Sequence, residues 1–151
     1  SLRDGIGWLA EVMGGKETLW SYGIDAYSGE VDIKTAHAEV PEAHLRFLEG
    51  NPCSYETDDL FLAHAGISPG VPFAQQATKD LIWIREPFLS DPRDHGKLVV
   101  HGHTAIRQPA HCGNRVNLDG GAGWGRPLAL ALFEGRACWL LSEEGRTPLV
   151  P

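Results

Sequence analysis

Residues 97–104 read Lys-Leu-Val-Val-His-Gly-His-Thr, and this short stretch decides the fold. Its three consecutive branched apolar residues predict a buried strand over residues 97–100. The glycine between the two histidines predicts that the strand ends there and that a loop begins. A side chain at the end of a strand is held rigidly while the following loop leaves room for a ligand, so we expect His103 to face a site.

A second stretch repeats this arrangement. Residues 61–66 read Phe-Leu-Ala-His-Ala-Gly, so His64 also follows a buried apolar strand and precedes a glycine. Residues 54–57 and the Asp-Asp pair at 58–59 predict a strand and a tight turn before it, which makes a hairpin that delivers His64. Neutral imidazole is a good ligand for divalent metals, and two such histidines can share one ion. A hydrogen-bonded structural role is the more common alternative for one strand-end histidine.

The rest of the chain predicts early helices followed by strands. Apolar spacing indicates helices over residues 2–13, 17–22 and 41–49, with a polar connection before the last. A short helix is expected over 80–85, capped by Asp80, and further strands over 115–118, 128–133 and 136–141. We therefore expect an α/β (α+β) protein, with helical residues 1–50 and strand-rich residues 51–151.

Composition excludes several classes of protein. The chain has 151 residues with 42% hydrophobic content, enough for one domain with one core. No apolar run approaches the roughly 20 residues that a membrane helix needs, so we expect no membrane partner and a cytoplasmic location. The net charge of -7 and the scattered cations argue against nucleic acid as a partner. Three cysteines without a Cys-x-x-Cys pair predict reduced thiols, with Cys53 and Cys138 in apolar surroundings.

Arg85 is the candidate for binding an anion. It ends the apolar segment Leu-Ile-Trp-Ile-Arg-Glu at residues 81–86, and a guanidinium presents two parallel donors to a phosphate or carboxylate. The alternative is an ordinary surface ion pair with Glu86. The remaining histidines lie in polar or helical surroundings and are expected to face solvent; they are His37, His44, His95 and His111.

Taken in order, four segments resemble a known family. They are His-Ala-Gly-Ile at 64–67, Leu-Ile-Trp-Ile-Arg-Glu at 81–86, Val-Val-His-Gly-His-Thr at 99–104 and Asn-Leu-Asp-Gly-Gly-Ala at 117–122. This order resembles the second half of bacterial serine/threonine-type phosphoprotein phosphatases of the calcineurin-like metallophosphoesterase superfamily. Residues 14–23 and 41–48 resemble the helical insert of these enzymes. The resemblance implies the C-terminal part of a β-sandwich flanked by helices, with an N-terminal helical segment, as a single incomplete domain over 1–151.

The resemblance also implies roles for individual residues. His64 and His103 match the two histidines that bind the second of two divalent metal ions (Mn, Fe or Zn), and Arg85 matches the arginine that holds the substrate phosphate. His101 and Asp119 lie beside these positions, where His101 is expected to orient the neighbouring ligand. Gly120 departs from the threonine often found in the family.

Three family motifs do not occur in these 151 residues: Asp-x-His, Gly-Asp-x-x-Asp-Arg-Gly and Gly-Asn-His-Glu. In the family they supply the ligands of the first metal, the bridging aspartate, an asparagine on the second metal and the general-acid histidine. The resemblance therefore implies no catalytic residue in this chain, weak or no metal binding, and negligible turnover in isolation. Truncation of a longer enzyme is the expected cause.

The expected activity of the intact enzyme is metal-dependent hydrolysis of phosphomonoesters, with a phosphoserine or phosphothreonine protein or a small phosphoester as substrate. One alternative is a diadenosine-tetraphosphate hydrolase. The other is a non-catalytic module that binds phosphate through Arg85 or docks a partner on exposed apolar surface. Missing strands would leave an apolar face uncovered, so self-association is also expected.

Overall fold

The computed structural model describes residues 14–28 and 31–151. Contacts divide the chain into two compact units, Ser1–Asn51 and Pro52–Pro151, and each is described by itself. The helix expected over residues 2–13 lies outside the described residues.

The described part of the first unit contains three short helices: α1 (Gly15–Ser21), α2 (Ile33–Glu39) and α3 (Glu42–Gly50). Helices α1 and α3 lie where apolar spacing predicts them. The prediction of a polar connection before α3 is wrong, because helix α2 forms in that stretch. Helix α2 is stabilised by its N-cap residue, since the carboxylate of Asp32 accepts hydrogen bonds from the backbone N–H groups of Lys34 and Thr35.

Within residues 14–28 and 31–51, the core of this unit contains few buried side chains. Leu19, Ala26 and Ala36 are buried, and Ile24 and Val31 pack against them. Helix α3 buries no side chain of its own. These described side chains by themselves contribute little hydrophobic free energy, because stabilisation is roughly proportional to the apolar area removed from water.

The second unit contains a mixed five-stranded sheet with the order β1-β2-β3-β5-β4. The strands are β1 (Ser54–Glu56), β2 (Leu60–Ala63), β3 (Leu98–His101), β4 (Ala110–His111) and β5 (Arg115–Asn117). The predicted hairpin is confirmed, because β1 and β2 pair antiparallel. Strands β2, β3 and β5 run parallel as direct neighbours. Their carboxyl ends therefore meet at one edge of the sheet.

One α-helix and two 3₁₀ turns lie between these strands, and a third 3₁₀ turn follows β5. The helix is α4 (Thr78–Trp83), and the turns are Phe73–Gln75, Phe88–Ser90 and Ala122–Trp124. The expected cap at Asp80 is wrong, because the helix begins two residues earlier and Ala77 is its N-cap. Asp80 lies in the first turn instead, where a carboxylate interacts favourably with the helix dipole.

A three-stranded antiparallel sheet follows, in the order β6-β7-β8. Its strands are β6 (Ala131–Glu134), β7 (Ala137–Ser142) and β8 (Gly145–Pro148). Strand β6 begins three residues later than predicted. The reason is that β7 ends at Ser142, which lies opposite Ala129, so the residues before Ala129 have no strand beside them to pair with.

The core of this unit consists of two hydrophobic clusters, one on each face of the five-stranded sheet, and side chains of β3 alternate between them. Leu98 and Val100 lie in a cluster that contains residues of both sheets, including Val116 and Cys138. Val99 lies in a second cluster, with Phe61, Ile67, Leu81 and Phe88. Successive side chains of a strand point to opposite faces, so His101 shares the face of Val99.

The described residues confirm a mixed α/β protein with two sheets and few helices. The cysteines follow the prediction in part. Cys138 is buried as expected, but the expectation for Cys53 is wrong, because it lies exposed just before the edge strand β1. No helix in the described ranges is both long and apolar enough to cross a bilayer.

Candidate metal and phosphate site

The candidate site lies where the three parallel strands end. His64 directly follows β2, His103 lies two residues beyond the end of β3, and Asp119 lies two residues beyond the end of β5. Ligands of open sheets with parallel strands bind outside the carboxyl ends of those strands. The topology thus brings together three residues that are far apart in the sequence.

The two histidines meet directly. Nε2 of His64 lies 3.2 Å from Nδ1 of His103, and the ring centroids are 5.0 Å apart in an edge-on arrangement. Two nitrogens that share a tetrahedral zinc ion at 2.0–2.1 Å lie about 3.3 Å from each other. The observed separation fits a shared ion, and it also fits a hydrogen bond between two neutral rings.

The backbone of His103 has an uncommon conformation, with φ of 64°. Residues other than glycine rarely adopt positive φ, and the cost must be met by surrounding contacts. Two contacts hold this loop: the N–H of Gly102 donates to the carbonyl oxygen of His64 at 2.9 Å, and Nδ2 of Asn117 donates to the carbonyl oxygen of Thr104 at 2.8 Å. The loop is fixed on both sides of His103, which sets the direction of its imidazole ring.

Arg85 comes close to this pair through the end of α4. The indole of Trp83 stands edge-on to the ring of His103 at 5.5 Å, and Arg85 follows two residues later. The ion pair with Glu86 that the sequence allows is not formed among the described residues, and Glu86 instead accepts a hydrogen bond from Ser90 Oγ. Arg85 is exposed, so its guanidinium is available to an anion.

The surroundings of His103 favour the neutral form of its ring. Its pKa is lowered first by burial and then by the neighbouring charges of His64 and Arg85, while Asp119 acts in the opposite direction. The positive charge of Arg85 disfavours a second positive charge on this ring. A neutral imidazole has a free nitrogen lone pair, which is the form that binds a metal ion.

His101 has a different position from the other two histidines. Its side chain is buried, with the ring 5.0 Å from the Phe88 ring in an edge-on arrangement. Nδ1 donates to the carbonyl oxygen of Gly102 at 3.1 Å, since Nε2 accepts from Nη1 of Arg115 at 3.3 Å. The pKa of His101 is lowered to about 4, mainly by burial, while the hydrogen bond to Gly102 acts in the opposite direction and the charge of Arg115 adds to the lowering. His101 therefore supports the backbone just before His103.

Asp119 lies on a tight turn at the end of β5. One carboxylate oxygen accepts a hydrogen bond from the N–H of Gly121 at 2.9 Å, and the backbone oxygen accepts from the N–H of Ile106 at 2.9 Å. Its side chain also lies against Gly102, where an added Cβ would come within 3.4 Å of Asp119 Cβ. Its carboxylate thus lies beside the loop of His103.

Sequence patterns did not identify three residues that belong to the site. Asn117 is buried and joins two loops, Arg115 fixes the tautomer of His101, and Trp83 packs on His103. An asparagine beside Val116 in a predicted strand was a usable signal, because a buried amide needs hydrogen-bond partners. The roles of Arg115 and Trp83 depend on contacts between distant segments, which local patterns do not reveal.

The pair of histidines provides only part of a metal site. A tetrahedral ion needs three or four protein ligands, and no cluster of three or more His, Cys, Asp or Glu side chains that could hold an ion occurs within residues 14–28 and 31–151. The other histidines lie elsewhere. His37 and His44 are exposed as expected, whereas the expectation of full exposure is wrong for His95 and His111, which are half-buried.

Comparison of the chain with protein-family models, with curated proteins and with solved structures gave no match.

Proposed function

We propose that this chain forms one side of the active site of a metal-dependent phosphoesterase that hydrolyses phosphomonoesters, with phosphoserine or phosphothreonine in proteins as the substrate. The observation that carries the proposal is the 3.2 Å distance between His64 Nε2 and His103 Nδ1. It joins two residues 39 positions apart at the ends of neighbouring parallel strands. The order of the surrounding motifs supports the same conclusion.

Each residue of the site has a defined task in this proposal. His64 and His103 hold one of two divalent ions, which would be manganese, iron or zinc. When bound, such a metal pair activates water and neutralises charge on the phosphoryl group. Arg85 binds the phosphate oxygens with its forked donors. Asp119 orients the loop of His103, and His101 fixes the backbone beside it.

The proposed site is incomplete within these 151 residues. Two protein ligands hold an ion weakly, and the sequence contains none of the motifs that supply a general acid or the ligands of a first metal. We therefore propose that turnover requires a segment carrying those motifs. The two sheets, which share one hydrophobic cluster, would form the C-terminal part of a β-sandwich that this segment completes.

Two other functions are separable from the first. A diadenosine-tetraphosphate hydrolase would use the same residues on a different phosphoester. A non-catalytic phosphate-binding module would use Arg85 without any metal, and the exposure of Arg85 favours this as the second candidate. The cytoplasmic location, the self-association and the lack of a nucleic-acid partner stay predictions.

The decisive experiment restores the missing motifs. A polypeptide with Asp-x-His, Gly-Asp-x-x-Asp-Arg-Gly and Gly-Asn-His-Glu, taken from the upstream reading frame or from a phosphatase of this family, is fused ahead of Ser1. Hydrolysis of p-nitrophenyl phosphate is then measured with added manganese. We expect turnover in the fusion, negligible turnover in the isolated chain, and loss of about 100-fold or more in kcat for His64→Ala and His103→Ala.

Arg85 variants separate the candidate functions. In an active fusion, Arg85→Ala should raise KM and lower kcat/KM at least tenfold, because a charge-assisted bond to phosphate contributes about 1.5–3 kcal/mol. Arg46→Ala, on the exposed surface of α3, is the matched control. Full activity of the fusion after loss of both histidines would contradict the proposal. Cleavage of diadenosine tetraphosphate in preference to phosphopeptides would favour the alternative substrate.

A further inference from the structure

A groove of about 740 Å³ opens in the second unit, next to the turn that carries Asp119. One part of its lining comes from loops of the five-stranded sheet and includes Arg107 and Gly120. The other part comes from the three-stranded sheet and the residues that lead into it, including Leu128, Leu130 and Leu141. Leu128 is 75% exposed and Leu130 is 58% exposed, so the groove presents apolar side chains to solvent.

The groove continues the shared hydrophobic cluster of the two sheets. Leu149, which packs against that cluster, also lines the groove. Solvent-facing apolar surface that is continuous with a core marks a binding groove or an interface, because monomeric proteins rarely leave large apolar patches uncovered. The groove therefore has the character of a docking surface.

The charged side chains of the groove indicate the chemistry of the partner that it binds. Arg107 and Arg126 are the charged residues of the lining, which includes no carboxylate, although the whole chain has a net charge of -7. Nη1 of Arg126 donates to the carbonyl oxygens of Ile106 and Gly120, both at 3.3 Å, and this holds the guanidinium in place. Within residues 14–28 and 31–151 neither arginine forms an ion pair.

We propose that the groove binds an extended acidic segment of a partner polypeptide, in which apolar and carboxylate side chains alternate. Successive side chains of an extended segment point to opposite sides, so one set packs on the leucines while the other meets the arginines. A symmetric pair of two copies would bring the arginines of both grooves together, which costs free energy through like-charge repulsion. The charge of the groove thus favours an acidic partner over a second copy of this chain.

Fluorescence anisotropy of labelled peptides tests this proposal on the whole chain. The two probes are a peptide of alternating valine and aspartate and a peptide of alternating valine and lysine. We expect the acidic peptide to bind and the basic one not to bind. Binding of the acidic peptide should weaken at least about tenfold in Arg107→Glu, and it should also weaken with added salt.

Two further variants complete the test. Arg46→Glu makes the same change of charge on α3 and should leave binding unchanged. Leu128→Ser removes an exposed apolar side chain of the groove and should weaken binding of the acidic peptide severalfold. Circular dichroism confirms that each variant is folded, so that a loss of binding reports on the groove.

Three results would overturn the proposal: equal binding of the two peptides, unchanged binding of the acidic peptide in Arg107→Glu, or a concentration-dependent dimer that blocks the groove and disappears in Arg107→Glu. None of these measurements depends on metal or phosphoester hydrolysis. A failure here is therefore distinct from a failure of the proposed activity.

Discussion

Asn117 fixes the carbonyl group of Thr104: its Nδ2 donates to the Thr104 oxygen at 2.8 Å, while its Oδ1 accepts from the N–H of Asp119 at 2.9 Å. Both ends of one buried amide therefore join the loop that follows His103 to the turn of Asp119. Asn117 therefore holds the loop that sets the direction of the His103 imidazole ring.

We predict that Asn117→Asp destabilises the protein by about 2–3 kcal/mol, because the carboxylate loses the donor to Thr104 and is buried without a partner for that oxygen. Urea unfolding followed by circular dichroism measures the change. Asn51→Asp, at an exposed position after α3, should shift the free energy of unfolding by less than about 0.5 kcal/mol. Equal stability of Asn117→Asp and the unmodified chain would show that the amide does not join the loops.

We predict that the buried ring of His101 makes the free energy of unfolding depend on pH. Its pKa is about 4 in the folded protein, because burial disfavours the charged ring, against an ordinary value of 6.5. The unfolded chain binds the proton first, so this contribution is fully present above pH 6.5 and is lost as the pH falls towards 4. The loss corresponds to about 3 kcal/mol.

The measurement is urea unfolding at several pH values in metal-free buffer. His101→Gln keeps a donor for Gly102 and an acceptor for Arg115 but does not titrate, so the slope of stability against pH between 4 and 6.5 should become shallower. His37→Gln, at an exposed position on α2, should leave the slope as it is. An unchanged slope in His101→Gln would show that the ring is not buried in its neutral form.

Gly66 lies against the ring of Phe88, so we predict that a larger residue at this position destabilises the protein. An added Cβ would lie 2.3 Å from Cδ1 of Phe88, and the φ of 146° is one that other residues rarely adopt. Phe88 is fully buried, so it has no room to move. Gly66→Ala should therefore cost about 3 kcal/mol or more, from overpacking and backbone strain together.

Thermal unfolding measures this cost, with Gly113→Ala as the matched control. Gly113 also has positive φ, at 85°, but an added Cβ would meet no atom within 4 Å. Its replacement should cost about 1 kcal/mol from the backbone alone. Similar losses for both variants would mean that Phe88 is not packed on Gly66.

Local sequence patterns predicted most of the elements that carry the site. The hairpin before His64, the strand before His103 and the helix before Arg85 all follow from short apolar runs bounded by turn residues. The pattern could place each histidine at the end of a strand. It could not place one beside the other, because that depends on β2 and β3 being parallel neighbours.

The errors have related physical causes. The helix α2 was missed because its stability comes from the cap at Asp32 and from burial of Ala36, neither of which makes a strong apolar pattern. The start of β6 depends on where its partner strand ends. In each case a contact made elsewhere in the chain decided the outcome, and local propensity was overridden.

A manganese titration of the untagged chain labelled with ¹⁵N-histidine, followed in long-range ¹H–¹⁵N spectra, tests whether His64 and His103 bind one metal ion together. Weakly bound paramagnetic manganese should broaden the signals of His64 Nε2 and His103 Nδ1 first, while those of His37 and His44 persist. Either His64→Ala or His103→Ala should remove the effect at the other histidine. Equal broadening of all histidines, or of His37 and His44 before the pair, would contradict the claim that the two rings form one side of a metal site.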